Sequence, residues 1–260
     1  EIYLQQLGLT DKSKSLGGPG HKVSGNWMEG EELPKDRQAA YRSVCMRLAY
    51  LASDRPELQY CSKEAARLMQ RPTLLGEQML KTAGRFFFGV PRLVVKYEKQ
   101  RPQRFVDMFT DSNHAGCAQT RNGSIGTVAM IGSHWIRSTS SAQTVIGLSS
   151  GENEFYALVK GTSSGLGLQV MARDLGHEFE LRASVDATAG KGIASRRGLG
   201  KVRHLHTPCL WVQKVYHEQR ATLLKISGTE NPSDIGTKVL AMKDIWKILS
   251  FMGFEARTGR

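Results

Sequence analysis

The sequence of 260 residues carries a formal net charge of +12 and has a pI near 9.7. A chain of this length can bury a sizeable core, and we expect two domains rather than one. The charge favours a polyanionic partner, with nucleic acid ahead of a membrane surface. Because the sequence has no apolar run of about 18 residues and its first residues lack the layout of a signal peptide, we expect a soluble chain that is not exported and binds no membrane.

The cysteines argue against both a zinc knuckle and a disulfide framework. They lie far apart and form no CxxC pair: Cys45, Cys61, Cys117 and Cys209. We therefore expect reduced thiols that are mostly packed in the interior.

The first part of the chain predicts a linker and then a small helical module. Glycines and prolines punctuate residues 1–35 without a sustained period, which is typical of a linker. Apolar residues then recur at helical spacing until Asp54 and Pro56, and further helices are predicted over 57–69 and 74–88. We assign residues 36–104 to this module.

Two stretches are rich in basic side chains. Residues 81–104 hold seven lysines and arginines against one acid, Glu98, with aromatic residues interleaved, and residues 191–214 hold six and no acid. Such segments can follow a phosphate backbone and offer stacking faces to bases. An equally good interpretation is a solvated basic face over core aromatic residues.

A second domain begins with three predicted strands, over 105–111, 126–131 and 134–137. The Gly-Ser pair at 132–133 suits a tight hairpin, so we expect an antiparallel meander. The first strand, FVDMFTD, ends in Asp111 and is followed by a polar turn with a glycine at 116. This pattern predicts a buried strand that delivers a carboxylate to a cleft.

A long helix is predicted after the meander. Ser149 suits its N-terminal cap, and the apolar residues that follow form a stripe at helical spacing. Interior glycines weaken the helix, so that a break near Thr162 is an alternative. Its first turns hold two acids, Glu152 and Glu154.

Two further acids lie at the ends of predicted elements. Asp186 ends an alternating strand over 178–186. After a last strand over 221–227, Asp234 begins a closing helix that is predicted to end at residue 251.

Four carboxylates at strand ends and helix starts would together suit two divalent cations; they belong to Asp111, Glu154, Asp186 and Asp234. Magnesium prefers such hard oxygen ligands, held on rigid elements around an open cleft. In a two-metal phosphodiester site, one ion helps to generate the attacking hydroxide and the other stabilises the leaving oxygen. Each acid alone is more simply a surface residue, a helix cap or an ion-pair partner, so the hypothesis depends on their joint placement.

Six segments in order carry a resemblance to a known family. They are TDSNHAG, RNGSIGTVAMIGSHWIRSTSSAQ, LSSGENEFYAL, VDATAGKGIA, VRHLHTPCLWVQ and ENPSDIGTKVL. Together they resemble the ribonuclease H region of copia-type LTR retrotransposon polyproteins. Upstream, YRSVCMRLAYLASDRPELQY, RLMQRPT and MLKTAGRFFFGV are similar to the segment of these polyproteins that connects the reverse transcriptase palm to the nuclease.

The resemblance implies an α/β, ribonuclease H-like domain over 105–251, with a mixed five-stranded sheet flanked by helices, and a tail over 252–260. It implies an endonuclease that hydrolyses the RNA strand of RNA/DNA hybrids with two Mg2+ ions, Mn2+ being an alternative. The metal-ligand and catalytic role falls on four residues: Asp111, Glu154, Asp186 and Asp234. Glu154 is preferred over Glu152 because EFYAL, which begins with Glu154, resembles the family's run of Glu, an aromatic residue, a small or apolar residue, Ala and Leu.

The same resemblance implies a setting. The chain would be the C-terminal part of a reverse transcriptase, with residues 36–104 as its connection segment and the rest of the polyprotein as a partner. Its location would be the cytoplasm, in a virus-like particle, or the nucleus. No Tyr-x-Asp-Asp motif is present, so we do not expect DNA synthesis by this segment.

Some residues depart from the family pattern. Ser141 and Ala142 stand where the family often has two lysines, and the loop before the fourth acid lacks the histidine that related cellular nucleases place there. A rival hypothesis is therefore a catalytically silent, nucleic-acid-binding remnant or connection module. His204 and His206, with Cys209 nearby, could hold zinc but more simply form a polar or substrate-facing pair.

Overall fold

The computed structural model describes residues 5–13, 15, 17–22, 30–114 and 121–257. Gly116 and Cys117, and with them the end of the turn predicted after the first strand, lie outside the described residues. The chain divides into two compact units, residues 1–95 together with 238–260, and residues 96–237. In the part that the structure describes, none of the helices has both the length and the apolar character needed to span a membrane.

In chain order the elements are α1 (Lys35–Leu51), α2 (Pro56–Ala66), α3 (Leu74–Gly89), β1 (Leu93–Val95), β2 (Phe105–Ser112), β3 (Ser124–Ile131), β4 (His134–Ala142), α4 (Ser150–Asp174), β5 (Glu180–Val185), α5 (Thr188–Ser195), α6 (Trp211–His217), β6 (Ala221–Lys225), α7 (Met242–Phe251) and β7 (Phe254–Ala256). Short 3-10 helices include Pro232–Gly236, which we call the Asp234 turn.

The first unit is built on the predicted helices α1 to α3. They bury one apolar cluster, in which Leu48, Leu58 and Leu80 are almost fully buried. Leu7 and Leu33 belong to the same cluster, so parts of the segment predicted as a linker are packed. These single apolar residues have no period around them, which is why the pattern of the sequence did not mark them.

The second unit is organised around a five-stranded sheet with the order β4-β3-β2-β5-β6. Strands β2, β3 and β4 pair antiparallel, which confirms the predicted meander, and β5 and β6 run parallel to β2. A second apolar cluster joins the sheet to the helices that flank it, with Met108 and Leu181 from strands and Phe155 and Leu158 from α4. The predicted architecture, a mixed five-stranded sheet with flanking helices, is confirmed.

Helix α4 runs for 25 residues without the break considered near Thr162. Its glycines face the sheet at close range. A Cβ atom at Gly161 would lie 2.3 Å from Thr110 Cγ2, and one at Gly165 would lie 2.4 Å from Leu181 Cδ1. The glycines weaken the isolated helix but let it lie directly on β2 and β5, where the burial of its apolar face stabilises it.

The predicted closing helix differs most from the structure. It begins at Met242 rather than Asp234, and it belongs to the first unit, where Met242 and Trp246 pack against the apolar cluster. The predicted tail also contains a strand, β7, which pairs antiparallel with β1. The compact units therefore do not follow the predicted boundary at residue 251.

Candidate metal centre

Three carboxylates meet at one edge of the sheet in the second unit. Asp111, Glu154 and Asp186 each offer an oxygen, and these oxygens all lie within 4.8 Å of one another. The topology explains two of them. Parallel pairing sets Phe109 beside Ser184, and two residues further along each strand direction stand Asp111 and Asp186. The expected convergence of these three acids is therefore found.

Helix α4 brings the third carboxylate to the strand ends. It starts at a cap in which the Ser149 hydroxyl accepts a hydrogen bond from Glu152 N. A Cβ atom at Gly190, at the start of α5, would lie 2.7 Å from Glu154 Cβ. This close approach, which only a glycine permits, lets the first turns of α4 pack directly on α5, while Glu154 reaches Ser112 at the end of β2.

Glu154 is held on one oxygen only. Its Oε1 accepts hydrogen bonds from Ser112 N at 3.2 Å and from Ser112 Oγ at 3.0 Å. Among the described residues, no partner donates to its buried Oε2. Burial and, after it, the charges of Asp111 and Asp186 raise the pKa of Glu154 to about 8, although the hydrogen bonds from Ser112 oppose the rise.

This combination fits a cation. A buried carboxylate with one oxygen that lacks a donor, close to two other acids, is costly on its own, because an isolated buried charge loses its hydration. A divalent ion with oxygen ligands would remove that cost and the repulsion among the acids. The acidic triad (Asp111, Glu154 and Asp186) is thus compatible with a bound divalent metal.

Asp111 is fixed by a second buried residue. It is 5% exposed, and its Oδ2 accepts a hydrogen bond from Thr237 Oγ1. The same hydroxyl lies 3.2 Å from the carbonyl oxygen of Asp234. The sequence did not single out either residue as part of the site. Ser112 directly follows Asp111, and Thr237 follows Asp234 by three positions.

The structure does not bring the carboxylate of Asp234 into the group within 4.8 Å. Its 3-10 turn is pressed against the sheet through glycines: a Cβ atom at Gly126 would lie 2.3 Å from Ser233 O, and Gly236 faces Gly126 in the same contact. Asn231 Nδ2 also donates to Thr110 O at 2.8 Å. The backbone of the turn therefore borders the triad, while the side chain of Asp234 stays outside it.

Glu152, the other candidate for the second acid, has a different set of contacts. Its carboxylate accepts from Leu148 N at 3.0 Å and from Ser149 Oγ at 3.1 Å, and it pairs with His204 Nε2 at 2.9 Å. Burial raises the pKa of Glu152, but these hydrogen bonds outweigh it and leave the pKa below its ordinary value. Glu152 completes the cap of α4, and Glu154 is the acid that lies in the triad.

The histidine pair does not form a metal site in the described part of the chain. His204 is paired with Glu152, and His206 Nδ1 lies 3.9 Å from Cys209 Sγ. Within the described ranges, the acidic triad is the only group of three or more His, Cys, Asp or Glu residues whose ligand atoms lie within 4.8 Å of one another. The simpler interpretation of the pair, as polar residues, agrees with these contacts.

The curated relatives come from plants. The chain is 30% identical over 123 residues to an uncharacterized mitochondrial protein of Arabidopsis thaliana. The aligned region covers 45% of this chain and 49% of the relative. It is 22% identical over 213 residues to the retrovirus-related Pol polyprotein from transposon TNT 1-94 of Nicotiana tabacum. This aligned region covers 81% of this chain and 16% of the relative. The chain thus spans about half of one relative and a small part of the other.

No protein-family model matches the chain. Solved structures that align with it include RNase H1 from the archaeon Halobacterium salinarum NRC-1, with a TM-score of 0.33 and 13% identity over 55% of this chain and 98% of that one. The N-terminal RNase H domain of a Mycobacterium tuberculosis protein aligns with a TM-score of 0.35 and 17% identity over 56% and 97%. The resemblance to copia-type retrotransposon polyproteins is confirmed by the tobacco relative, to which the chain is similar over 81% of its length.

Proposed function

We propose that the chain hydrolyses the RNA strand of RNA/DNA hybrids, as a ribonuclease H-type endonuclease in the C-terminal part of a retrotransposon reverse transcriptase. One observation carries the proposal: three acids distant in sequence place their oxygens within 4.8 Å of one another at the edge of a mixed sheet. The similarity to a transposon Pol polyprotein supports the retroelement setting.

The metal would be magnesium, as two ions, with manganese as an alternative. Asp111, Glu154 and Asp186 would hold it, because their oxygens converge and Glu154 Oε2 lacks any other partner among the described residues. Asp234 is proposed as the fourth ligand, since the backbone of its turn borders Thr237 and Asp111. When bound, such ions supply an activated water and stabilise the charge on the leaving oxygen.

The other residues of the site position these carboxylates. Ser112 donates twice to Glu154 Oε1, and Oε2 has no donor among the described residues. Thr237 holds Oδ2 of Asp111. Residues that hold ligands in this way fix their orientation, and their loss lowers metal affinity or activity even though they never touch the metal.

Charge supports a nucleic-acid substrate. The net charge of +12 favours a polyanion, and the exposed basic residues between α5 and α6 include Arg197, Lys201 and Arg203. This segment is attached to the start of α4 by the pair of His204 and Glu152, two residues before Glu154. It therefore offers positive charge beside the triad, where a phosphate backbone would run.

A cleavage assay with a binding assay beside it tests the proposal. The purified chain is mixed with an RNA/DNA hybrid whose RNA strand is end-labelled, with magnesium, with manganese, or with a chelator. We expect metal-dependent cuts in the RNA strand alone, and no cuts in the Asp111→Asn variant, because an amide lacks the charge that holds the ions. Double-stranded DNA and double-stranded RNA of the same sequence are the controls for hybrid specificity.

The opposite result has a definite meaning. Binding that weakens steeply with salt, without cut products in either metal, would contradict the nuclease and support the rival hypothesis of a silent nucleic-acid-binding module. Full activity of the Asp111→Asn variant would contradict the role of the triad.

A further inference from the structure

We propose that Lys160 is a phosphate-binding residue, which holds the substrate strand beside the triad through an ammonium group presented by α4. Lys160 lies on α4, and its Nζ donates a hydrogen bond to Ser141 Oγ near the end of β4. This inference rests on the proposed hybrid substrate and adds a contact that fixes where the hybrid lies relative to the three acids.

The register of the sheet locates this ammonium relative to the triad. Ser112 pairs with Ile125, and Ile125 pairs with Ser141, so the three residues form one row across β2, β3 and β4. Residues directly opposite one another in antiparallel strands point to the same face of the sheet. Ser112 reaches Glu154 on that face, and Ser141 reaches Lys160.

The distance in this row suits a nucleic acid strand. Adjacent strands lie about 4.8 Å apart, so Ser141 lies roughly 10 Å from Ser112 across two strand spacings. Phosphates of one strand advance about 3.4 Å each along a duplex axis. If the substrate strand follows this row with its scissile phosphate at the triad, another phosphate, within about three positions, would lie at Lys160.

The surroundings of Lys160 favour an anion. Burial lowers the pKa of its ammonium, and the nearby charge of Arg137 lowers it further. Arg137 is exposed on the same edge strand, and no carboxylate among the described residues pairs with either cation. An ammonium has three donors, of which Ser141 takes one. The two cations thus attract a phosphate that no acid of the described chain competes for.

Binding without cleavage gives the first test. The affinity for a hybrid is measured with a chelator present, over a series of salt concentrations, for the wild type, Lys160→Met, Lys160→Arg and the control Lys243→Met, which changes an exposed lysine of α7. We expect the magnitude of the negative slope of log affinity against log salt to be smaller by about 1 in Lys160→Met than in the wild type. Lys160→Arg should keep the wild-type slope. The control should keep the wild-type slope. Equal slopes for Lys160→Met and the wild type would overturn the inference.

A second measurement separates a phosphate contact from a structural role. Hybrids that carry one neutral methylphosphonate are tested with the substitution at successive positions along the strand. At one position near the cut, the substitution should weaken binding by the wild type but leave the affinity of Lys160→Met unchanged. A thermal unfolding curve for each variant shows whether it folds, and Lys160→Gln, which also removes the charge, replaces Lys160→Met if the methionine variant does not fold. A wild type that binds but never cuts would contradict the proposed function while the methylphosphonate profile still decides the role of Lys160. Identical profiles for wild type and variant would exclude that role.

Discussion

Ser112 donates from its backbone nitrogen and from its hydroxyl to the same oxygen of Glu154, at 3.2 and 3.0 Å. The two donors lower the pKa of this carboxyl group, which burial and the charges of Asp111 and Asp186 nevertheless raise to about 8. Its protonation state is therefore linked to the pH of the solution and to whatever cation the triad holds.

The stability of the metal-free protein should fall as the pH rises, because of Glu154. Between the ordinary pKa of 4.5 and about 8, the folded protein holds a proton on Glu154 that the unfolded chain has lost. The free energy of unfolding then decreases through this window, since the folded state binds more protons. In Glu154→Gln this contribution is absent, so its stability should depend less steeply on pH.

Denaturant unfolding with a chelator, at several pH values from about 5 to about 8, measures this difference. Glu178→Gln, which changes an exposed acid in the same unit, is the control and should follow the wild type. Parallel curves for Glu154→Gln and the wild type would contradict the raised pKa.

Thr237→Val should lower turnover without preventing folding. The change removes the hydroxyl that donates to Asp111 and leaves a side chain of similar volume. Because such a residue orients a ligand, we expect kcat or metal affinity to fall roughly 10–100-fold. Thr222→Val, at an exposed position of β6, is the matched control. Wild-type kinetics in Thr237→Val, over a magnesium titration, would show that this hydrogen bond has no part in the reaction.

Glu152→Gln and Glu154→Gln should separate the two acids of α4. Loss of charge at Glu152 weakens the cap with Ser149 and the pair with His204, so we expect about 1 kcal/mol lower stability and largely retained cleavage. Loss of charge at Glu154 should abolish magnesium-dependent cleavage. Measuring the cleavage rate and the unfolding free energy of both variants tests the assignment. The reverse pattern would make Glu152 the ligand.

Two glycines of α4 should respond in opposite directions to alanine. A Cβ atom at Gly165 would lie 2.4 Å from Leu181 Cδ1 and 2.8 Å from Met108 Cγ, so Gly165→Ala should destabilise the protein by about 1–3 kcal/mol. No atom lies within 4 Å of a Cβ atom at Gly167. Gly167→Ala should therefore stabilise it by about 0.5–1 kcal/mol, as alanine does in a helix. Denaturant midpoints compare the two directly, and equal shifts would show that the helix does not lie as close to the sheet as described.

The sequence was informative where local patterns decide the structure. Helices α1 to α3, the meander and the strand that ends near Asp186 follow from periodicity and turn residues, because their apolar faces are regular. The convergence of Asp111 and Asp186 was a hypothesis from acids at strand ends, and the two acids lie close together because their strands pair in parallel, which no local pattern showed.

Other features depend on contacts that no local pattern records. Strands β1 and β7 are three residues each and pair across a long stretch of sequence, which leaves no signal in either segment. Glycines that weaken a helix in isolation favour α4 only because β2 and β5 lie against it. The 3-10 turn of Asp234 looked like a helix start, but its proline-led segment ends after five residues and the next helix packs elsewhere.

The contact between Gly126 and Gly236 limits how Asp234, the proposed fourth ligand, could reach the triad. With no side chains in between, the turn rests on the backbone of β3 and has no room to move inward. Ser140 Oγ donates a hydrogen bond to the carbonyl oxygen of Gly236 at the end of the turn, and Asn231 Nδ2, just before the turn, donates to Thr110 O. The carboxylate of Asp234 can therefore approach only by rotation about its own side-chain bonds, a motion of picoseconds to nanoseconds for accessible groups. Completing the ligand set would then be much faster than the microsecond-to-millisecond loop closures that limit turnover in many enzymes.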